Sequence, residues 1–231
     1  MHPFSASNYI DLSNTPHAEL FSAANEPAWF ALSRIAHYLK THLRPGIHGD
    51  VSDQAFIGSP IFIGAGSVVE PGATIKGPAW IGSGCTIRSG AYLRGNVIVG
   101  DRCVLGNSSE FKNCILMDEV DVPHFSYVGD SIMGCGSHLG AGVILSNVKL
   151  DSQEVQVCHA GQRIPTGLRK FGAIVGDRTE VGCNSVISPG SVLGRDCILY
   201  PGTHWHGVLE QSRIVKIRQT QEIVTRQPKD S

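Results

Sequence analysis

The sequence has 231 residues, of which 42% are hydrophobic and 17% are charged, and 19 Lys and Arg against 20 Asp and Glu give a formal net charge of −1. This length fits one sizeable domain with a small appendage, and the even charge balance without a dense basic stretch excludes nucleic acid as an expected partner. No segment approaches 18 uninterrupted apolar residues and the N-terminus lacks a basic region followed by an apolar run, so we predict a cytoplasmic protein without a membrane partner.

The first predicted element is an amphipathic helix in the segment EPAWFALSRIAHYLKTHLRPG, residues 26–46. Its apolar residues recur at helical spacing, Pro27 suits a first helical turn, and the final RPG is a stop signal. We assign residues 1–50 to an N-terminal extension with this capping helix, which is expected to cover the first coil of the repeat that follows.

Large apolar residues then recur at every sixth position, and the position four residues after each of them is mostly small. The series is Val51, Ile57, Ile63, Val69, Ile75, Ile81, Ile87, Leu93, Val99, Leu105 and Phe111. A period of six fits neither an α-helix nor a hairpin array, but it fits a hexapeptide solenoid in which three hexads make one triangular coil. The predicted fold class is therefore all-β, a parallel β-helix of hexapeptide repeats over residues 51–210.

The six-residue rhythm is interrupted in three places. Steps of five residues lead from Phe111 to Leu116 and from Val128 to Met133, and residues 146–174 lack the rhythm before it resumes. That segment predicts a loop ejected from the coil, and a loop of this length in a compact solenoid is typically functional or disordered. Residues 211–231 are predicted to be a polar C-terminal tail, extended or disordered at its end.

The seven cysteines include no CxxC pair and no Cys/His cluster with zinc spacing. Reduced thiols and the absence of a metal site are therefore expected. Cys85 and Cys103 are separated by three hexads, which is one full coil, so they are predicted to stack in the interior of neighbouring coils as small apolar fillers.

Two cations and one histidine are candidates for chemistry. Arg94 and Lys112 are also separated by three hexads and should stack on one edge of neighbouring coils. They form either a solvated basic ridge or an anion site, because two parallel cations suit a phosphate. His124 lies between the two five-residue steps and is either a structural residue or a general base, since histidine titrates near neutrality.

Four segments, together with the hexads and in this order, resemble a known family: YLRGNVIVGDRCVLGNSSEFKN, VPHFSYVGDS, LGAGVILSN and GLRKFGAIVGD. They are similar to the left-handed β-helix domain of the bifunctional sugar-1-phosphate nucleotidylyltransferase/acetyltransferases, which include the N-acetylglucosamine-1-phosphate uridyltransferases. The resemblance covers about residues 50 to 210. It implies a left-handed coil, a homotrimer with sites shared between subunits, acetyl-CoA as acyl donor and no metal for acyl transfer.

On the acceptor side, the resemblance implies that His124 is the general base that deprotonates a sugar amine. It implies that Arg94 and Lys112 hold the phosphate of the sugar, and that Tyr127 and Asn147 contact or orient the sugar. Catalysis then depends on a coil geometry that sets the imidazole beside the two stacked cations, in a groove closed by a neighbouring chain.

On the donor side, the resemblance places Ala141 at a backbone contact near the thioester and Cys183 and Pro201 beside the pantetheine. His138 occupies a position where the uridyltransferases carry an asparagine close to the acetyl group. It is expected to replace that contact or to perturb His124.

Other differences from the family weaken the transfer of its site assignments to this sequence. Gln153 and Gln156 stand where relatives tend to have lysines that help to bind the substrate. The glycine-rich nucleotide-binding signature of the nucleotidylyltransferase domain is absent from the sequence. No nucleotidyl transfer is therefore expected.

The expected function is acetyl-CoA-dependent N-acetyl transfer to an amino sugar, with a hexosamine 1-phosphate as acceptor; transfer to a hydroxyl stays open. The alternative is a non-catalytic subunit that binds a sugar nucleotide or is a scaffold for a separate nucleotidylyltransferase. Metal-dependent hydration, as in carbonic anhydrases of this fold, is disfavoured. The HxxxxH pair His37 and His42 lies on the predicted helix, and His204 and His206 would point to opposite faces of a strand.

Overall fold

The computed structural model describes residues 2–22, 25–218 and 221–226, and its main body is a parallel β-helix with three sheets. Sheet A contains β1 (Gly46–Ile47), β4 (Ile61–Ile63), β7 (Ala79–Ile81), β10 (Val97–Val99), β13 (Cys114–Leu116), β16 (Ile132–Met133), β21 (Ala173–Val175), β24 (Ser191–Leu193) and β27 (Val208–Leu209). Sheet B contains β2 (Asp50–Val51), β5 (Val68–Val69), β8 (Thr86–Ile87), β11 (Val104–Asn107), β14 (Asp121–His124), β17 (His138–Leu139), β22 (Glu180–Val181), β25 (Ile198–Leu199) and β28 (Ile214–Val215). Sheet C contains β3 (Phe56–Ile57), β6 (Thr74–Ile75), β9 (Tyr92–Leu93), β12 (Glu110–Lys112), β15 (Tyr127–Gly129), β18 (Ile144–Leu145), β23 (Val186–Ile187) and β26 (His204–Trp205).

The register of the sheets follows the six-residue rhythm of the sequence. Val97 pairs with Ala79, which precedes it by three full hexads, as one complete coil requires. On its other side Val97 pairs with Cys114, which is nearer in sequence than a complete coil because the five-residue step shortens that coil. This confirms the predicted solenoid and shows that the two interruptions are tightened corners.

The large apolar residues of the rhythm fill the prism. Ile63, Ile75, Ile87 and Phe111 have no solvent-exposed surface and belong to one continuous core. Burial of each such side chain contributes about 1.5–3 kcal/mol relative to leaving it in water. Cys103 is buried in the same core, and all seven cysteines, which lie within the described residues, are free thiols.

The N-terminal segment packs against the outer side of sheet A. It contains two short 3-10 turns, Ala6–Asn8 and Ala18–Phe21, and the helix α1 (Phe30–His42). The buried residues of α1 join outward-facing residues of sheet A, among them Ile98 and Ile115, in a second apolar core. The helix therefore lies along the side of the prism and not over the first coil, because the outer face of sheet A is itself apolar and has to be covered.

The segment 146–174 leaves the coil as predicted, but it is not structureless. It contains an antiparallel hairpin of β19 (Gln156–His159) and β20 (Gln162–Pro165). Val155, Val157 and Phe171 are buried in the apolar core beside sheet A, and the ring centroids of Phe171 and Trp29 are 5.7 Å apart. These apolar anchors hold the segment against the solenoid.

The coils extend somewhat beyond the predicted limits of 51–210. The first strand is Gly46–Ile47, and Val215 still pairs with Leu199. Of the predicted tail, residues 216–218 and 221–226 have no regular structure, whereas 219–220 and 227–231 lie outside the described residues. No helix among the described residues has the length and apolar character that crossing a bilayer demands.

Candidate active site

The corners that join sheet B to sheet C form one edge of the prism, here called the B–C edge. His124, Ala141, Cys183 and Pro201 lie on this edge in successive coils, so the structure brings the predicted base and the three predicted donor-side residues into one column. The backbone hydrogen bonds between these corners are Gly142 N–H to His124 O at 3.1 Å, Asn184 N–H to Ala141 O at 2.8 Å and Gly202 N–H to Cys183 O at 2.8 Å.

The backbone at His124 is tightly constrained while its side chain is exposed. His124 ends β14, pairs with Asn107, and its carbonyl oxygen accepts a hydrogen bond from the Ser126 hydroxyl at 3.0 Å. In the coil before, Gly106 lies so close to Pro123 that a Cβ there would collide with the Pro123 carbonyl. The fixed backbone holds the imidazole on the rim of the edge, accessible to a ligand.

A groove lies beside the B–C edge on sheet B. Its volume is about 350 Å³ and its wall is mainly apolar. The lining residues are His138, Gly140, Glu180, Val181, Gly182, Cys183, Ile198, Leu199, Tyr200 and Pro201. The groove therefore contains His138, Cys183 and Pro201, and it is adjacent to Ala141 through Gly140.

Arg94 and Lys112 lie on adjacent coils at the end of sheet C, where the Arg94 N–H donates to the Phe111 carbonyl at 2.9 Å. Each cation is paired with a carboxylate that the sequence analysis did not single out. An Arg94 guanidinium nitrogen is 2.9 Å from Glu110 Oε1, and Lys112 Nζ is 2.9 Å from Asp130 Oδ2. The four groups together carry no net charge, so the stacked cations are not an open anion site.

The imidazole and the cations occupy opposite margins of sheet C. Lys112 is in register with Gly129, which follows His124 along the chain at the other end of β15. His124 and the stacked cations therefore lie at different corners of the coil, with one strand of sheet C between them. Tyr127, at the start of β15, lies on the same sheet between these two margins.

Tyr127 and Asn147 are directly connected. The Asn147 side-chain nitrogen is 3.2 Å from the Tyr127 hydroxyl oxygen and 2.6 Å from Asp130 Oδ2. Burial, and secondly the negative charge of Asp130, raises the pKa of the Tyr127 hydroxyl, which therefore stays protonated at neutral pH. Asp130 directly follows Gly129, the register partner of Lys112, so the shortened coil spacing is the signal that could have directed attention to Asp130.

A second groove, of about 620 Å³, lies between the ejected segment and the later coils of sheet C. Gln156 lines it, whereas Gln153 is exposed outside it. The groove also contains Lys149, which is 3.0 Å from Asp151, and Arg163. Cationic side chains are therefore present in this segment even though both glutamines replace expected lysines.

No group of three or more His, Cys, Asp or Glu side chains in the described parts of the chain could hold a metal ion.

Comparison with known proteins relates the chain to sugar-nucleotide enzymes. A sequence profile of the GMPPB C-terminal domain matches residues 75–162. A bifunctional sugar-1-phosphate nucleotidylyltransferase/acetyltransferase of Sulfurisphaera tokodaii is 40% identical over 42% of this chain and 24% of its own length. The bifunctional protein GlmU of Methanococcus maripaludis is 37% identical over 74% of this chain and 43% of its own length. The chain thus spans about a quarter to under half of these relatives.

A further relative matches over most of both chains. YaiX of Escherichia coli K12, named as an uncharacterized acetyltransferase, is 33% identical over 78% of this chain and 84% of its own length. The chain belongs to the hexapeptide-repeat acyltransferase family. In this hexapeptide-repeat acyltransferase the profile match at 75–162 includes His124 and Asn147, while Cys183 and Pro201 lie beyond it.

Proposed function

We propose that this protein transfers an acetyl group from acetyl-CoA to the amine of an amino sugar, with a hexosamine 1-phosphate as acceptor and His124 as general base. The observation that carries the proposal is the B–C edge, where an exposed histidine shares one column with three residues beside an apolar groove. The names of the relatives support acetyl transfer and sugar phosphates as the chemical context.

The chemistry asks little of the protein beyond positioning and a proton acceptor. A neutral amine has to be held about 3 Å from the carbonyl carbon of the acyl donor, which supplies an activated thioester. The His124 imidazole accepts the proton that the amine loses and returns it to the departing thiolate, so that proton and charge balance over the turnover. An exposed, backbone-constrained histidine is suited to both transfers.

The apolar groove on sheet B fits the pantetheine arm of the donor. Cys183, Tyr200 and Pro201 contribute to its mainly apolar wall. A thin, flexible chain with few charges suits such a lining, because apolar contacts contribute most of the binding free energy. His138 at the same groove would contact the thioester end.

Arg94 is the cation that we assign to an anionic acceptor. Its ion pair with Glu110 is exposed and screened by solvent, so a phosphate can displace Glu110 at little cost. Lys112 is instead held by the carboxylate of Asp130, whose side chain is 6% exposed. Lys112 would contact the acceptor while staying bound to Asp130.

We further propose that the active unit is a homotrimer in which a neighbouring chain closes each site. The outer face of sheet A is covered by the N-terminal segment and the hairpin of this chain. Sheets B and C carry exposed apolar side chains, among them Ile144 and Ile198. Contacts between subunits would therefore use these two sheets.

Incubation of the purified protein with acetyl-CoA and a panel of sugars tests the function. The panel should pair each hexosamine 1-phosphate with its unphosphorylated amino sugar and with the hexose 1-phosphate that has a hydroxyl in place of the amine. Product should be followed by mass, because the exposed thiol of Cys183 would itself react with a thiol reagent. We expect acetylation of the hexosamine 1-phosphate, and the absence of any acetylated sugar would contradict the proposal.

The rival function is a non-catalytic subunit that binds a sugar nucleotide and associates with a separate nucleotidylyltransferase. The pairing of both stacked cations with carboxylates favours it, because an acceptor phosphate then meets no open cationic site. Calorimetric titration with CoA distinguishes the two functions, because an acetyltransferase has to bind CoA whereas a non-catalytic subunit does not.

A further inference from the structure

We propose that Asp130 is a positioning residue that fixes which hydrogen bonds the acceptor site offers: Asn147 as an acceptor and Tyr127 as a donor. The inference rests on the acyl transfer proposed above and adds to it the hydrogen-bonding chemistry that the acceptor must have.

The Asp130 carboxylate is the meeting point of three coils. Its Oδ1 is 3.0 Å from Lys112 Nζ and 2.9 Å from the Asn113 side-chain nitrogen, and its Oδ2 is 2.9 Å from Lys112 Nζ and 2.6 Å from the Asn147 side-chain nitrogen. The backbone of Asp130 is held as well, because its N–H donates to the Lys112 carbonyl and its carbonyl accepts from the Gly172 N–H. A buried carboxylate with two donors on each oxygen has no freedom to turn.

This carboxylate determines the orientation of the Asn147 amide. An ionised carboxylate can only accept hydrogen bonds, so the Asn147 atom beside it has to be the NH₂ group. The carbonyl oxygen Oδ1 of Asn147 must then point away from Asp130. Asp130 thereby makes Asn147 a fixed acceptor for a ligand.

The same orientation determines the role of Tyr127. The Asn147 NH₂ group also donates to the Tyr127 hydroxyl oxygen at 3.2 Å. Because a lone pair of the Tyr127 hydroxyl oxygen accepts this hydrogen bond, the hydroxyl proton can be donated to another partner. Tyr127 is therefore a donor on the face of sheet C between His124 and the cations.

An acceptor that fits this pattern carries a hydrogen-bond donor for Asn147 and an acceptor oxygen for Tyr127. Adjacent hydroxyl or amine groups on a sugar ring meet both requirements. A site built to satisfy such groups discriminates strongly against an analogue that lacks one of them, because its own polar atoms are then left unpaired. Deoxy analogues should accordingly be poor substrates.

The variant Asp130→Asn tests this role with little change of shape. Asp130 has a φ of +46°, which asparagine adopts readily, so the corner should keep its backbone. The asparagine side chain has one NH₂ group and cannot accept from Lys112, Asn113 and Asn147 together. The Asn147 amide is then free to rotate. We expect the KM for the sugar acceptor to rise on the order of 10-fold, with the KM for acetyl-CoA unchanged.

Asp177→Asn is the matched control. Asp177 is also a buried carboxylate at a coil corner, where it accepts from the Asp11 and Cys135 N–H groups at 2.8 Å and pairs with Arg195. It lies on the far side of sheet A from the candidate site. This variant should lower the thermal unfolding midpoint and leave both KM values unchanged. If Asp130→Asn changed only the unfolding midpoint or the active fraction, as Asp177→Asn does, the positioning role would be refuted.

A second measurement does not depend on turnover. The titration of Tyr127 can be obtained as the ultraviolet difference between the parent protein and Tyr127→Phe. In the Asp130→Asn background this titration should move to lower pH, because the negative charge near the hydroxyl is lost. If the parent protein acetylates no sugar, the proposed function fails while this shift still supports the network; an unshifted titration refutes the network itself.

Discussion

Lys112 Nζ lies 2.9 Å from Asp130 Oδ2, and the side chain of Asp130 is 6% exposed while that of Lys112 is 25% exposed. The ion pair is asymmetric, because the Asp130 carboxylate is almost fully buried whereas the Lys112 side chain is still partly exposed to solvent. Removal of the cation is therefore more costly than for a surface pair, because the carboxylate is left buried with only two amide donors.

Replacement of Lys112 by methionine should lower the free energy of unfolding by about 2 kcal/mol, between the values for exposed and fully buried pairs. Denaturant titration measures the change. Arg94→Met is the matched control one coil earlier, and loss of its exposed, solvent-screened pair with Glu110 should lower the free energy of unfolding by clearly less. Equal losses in the two variants would contradict the asymmetry.

Replacement of His124 by alanine should lower kcat on the order of 10²–10⁴-fold, because the proton acceptor is removed. The unfolding midpoint should stay the same, since the imidazole is exposed and its backbone is held by neighbouring corners. His37→Ala, at an exposed position of α1, provides the control for loss of an imidazole. An unchanged kcat in His124→Ala would remove this residue from the mechanism.

The Glu110→Gln variant should bind a phosphorylated acceptor more tightly than the parent does. Loss of the carboxylate frees the Arg94 guanidinium and gives the site a net positive charge, so the KM for a hexosamine 1-phosphate should fall about 3- to 10-fold. The unphosphorylated amino sugar is the control and should show no change. Arg94→Gln should raise the KM for the phosphorylated acceptor alone, and an equal effect on both sugars would argue against a phosphate at Arg94.

Stability should fall below neutral pH because of His17 in the N-terminal segment. Burial lowers the pKa of His17 to about 4, while Asp101 opposes the shift and His42 adds to it. Its ring lies edge-on to Trp80 and its Nδ1 is 3.0 Å from the Tyr38 hydroxyl. The unfolded chain binds this proton near pH 6.5 and the folded chain only near 4, so the stabilisation is complete above 6.5 and decreases as the pH falls towards 4.

The loss amounts to roughly 3 kcal/mol across that window, at about 1.36 kcal/mol per pKa unit. The free energy of unfolding should be measured from pH 7 to pH 4 in the parent protein, in His17→Gln and in His37→Gln. The slope should become shallower in His17→Gln only. An equally steep slope in that variant would assign the acid sensitivity to other groups.

The solenoid was predictable because every hexad repeats the same apolar pattern. Each hexad places one apolar residue inside, and Ile75 or Ile87 can be assigned to the core without knowledge of its neighbours. The covering of sheet A was missed because it depends on residues that point outward, such as Ile98 and Ile115. Their apolar character predicts a covered outer face, but it is difficult to recognise in a repeat whose inward-facing positions are apolar too.

The candidate site was predictable only in part, for a similar reason. Coil spacing correctly placed Arg94 and Lys112 on adjacent coils, and the five-residue step puts Gly129 in the next coil at the register position of Lys112, with Asp130 following it. The separation of His124 from the cations also follows from the rhythm, because Leu93 and Phe111 fall on one sheet and Val122 on another. The spacing does not predict that the cations pair with Glu110 and Asp130, because that pairing depends on side-chain conformation.

The contact of the N-terminal segment with late coils has a consequence for how the chain unfolds. The Asp11 N–H donates to Asp177 Oδ2 at 2.8 Å across 166 residues of sequence, and an Arg195 guanidinium nitrogen donates to the Ser7 carbonyl at 3.0 Å. A solenoid stabilised only by adjacent repeats can fray from either end. Here the N-terminal segment contacts an early coil through His17 and Trp80 as well as the late coils of Asp177 and Arg195, so the protein should melt as one cooperative unit. The full set of these contacts can form only after the ribosome has made residue 195.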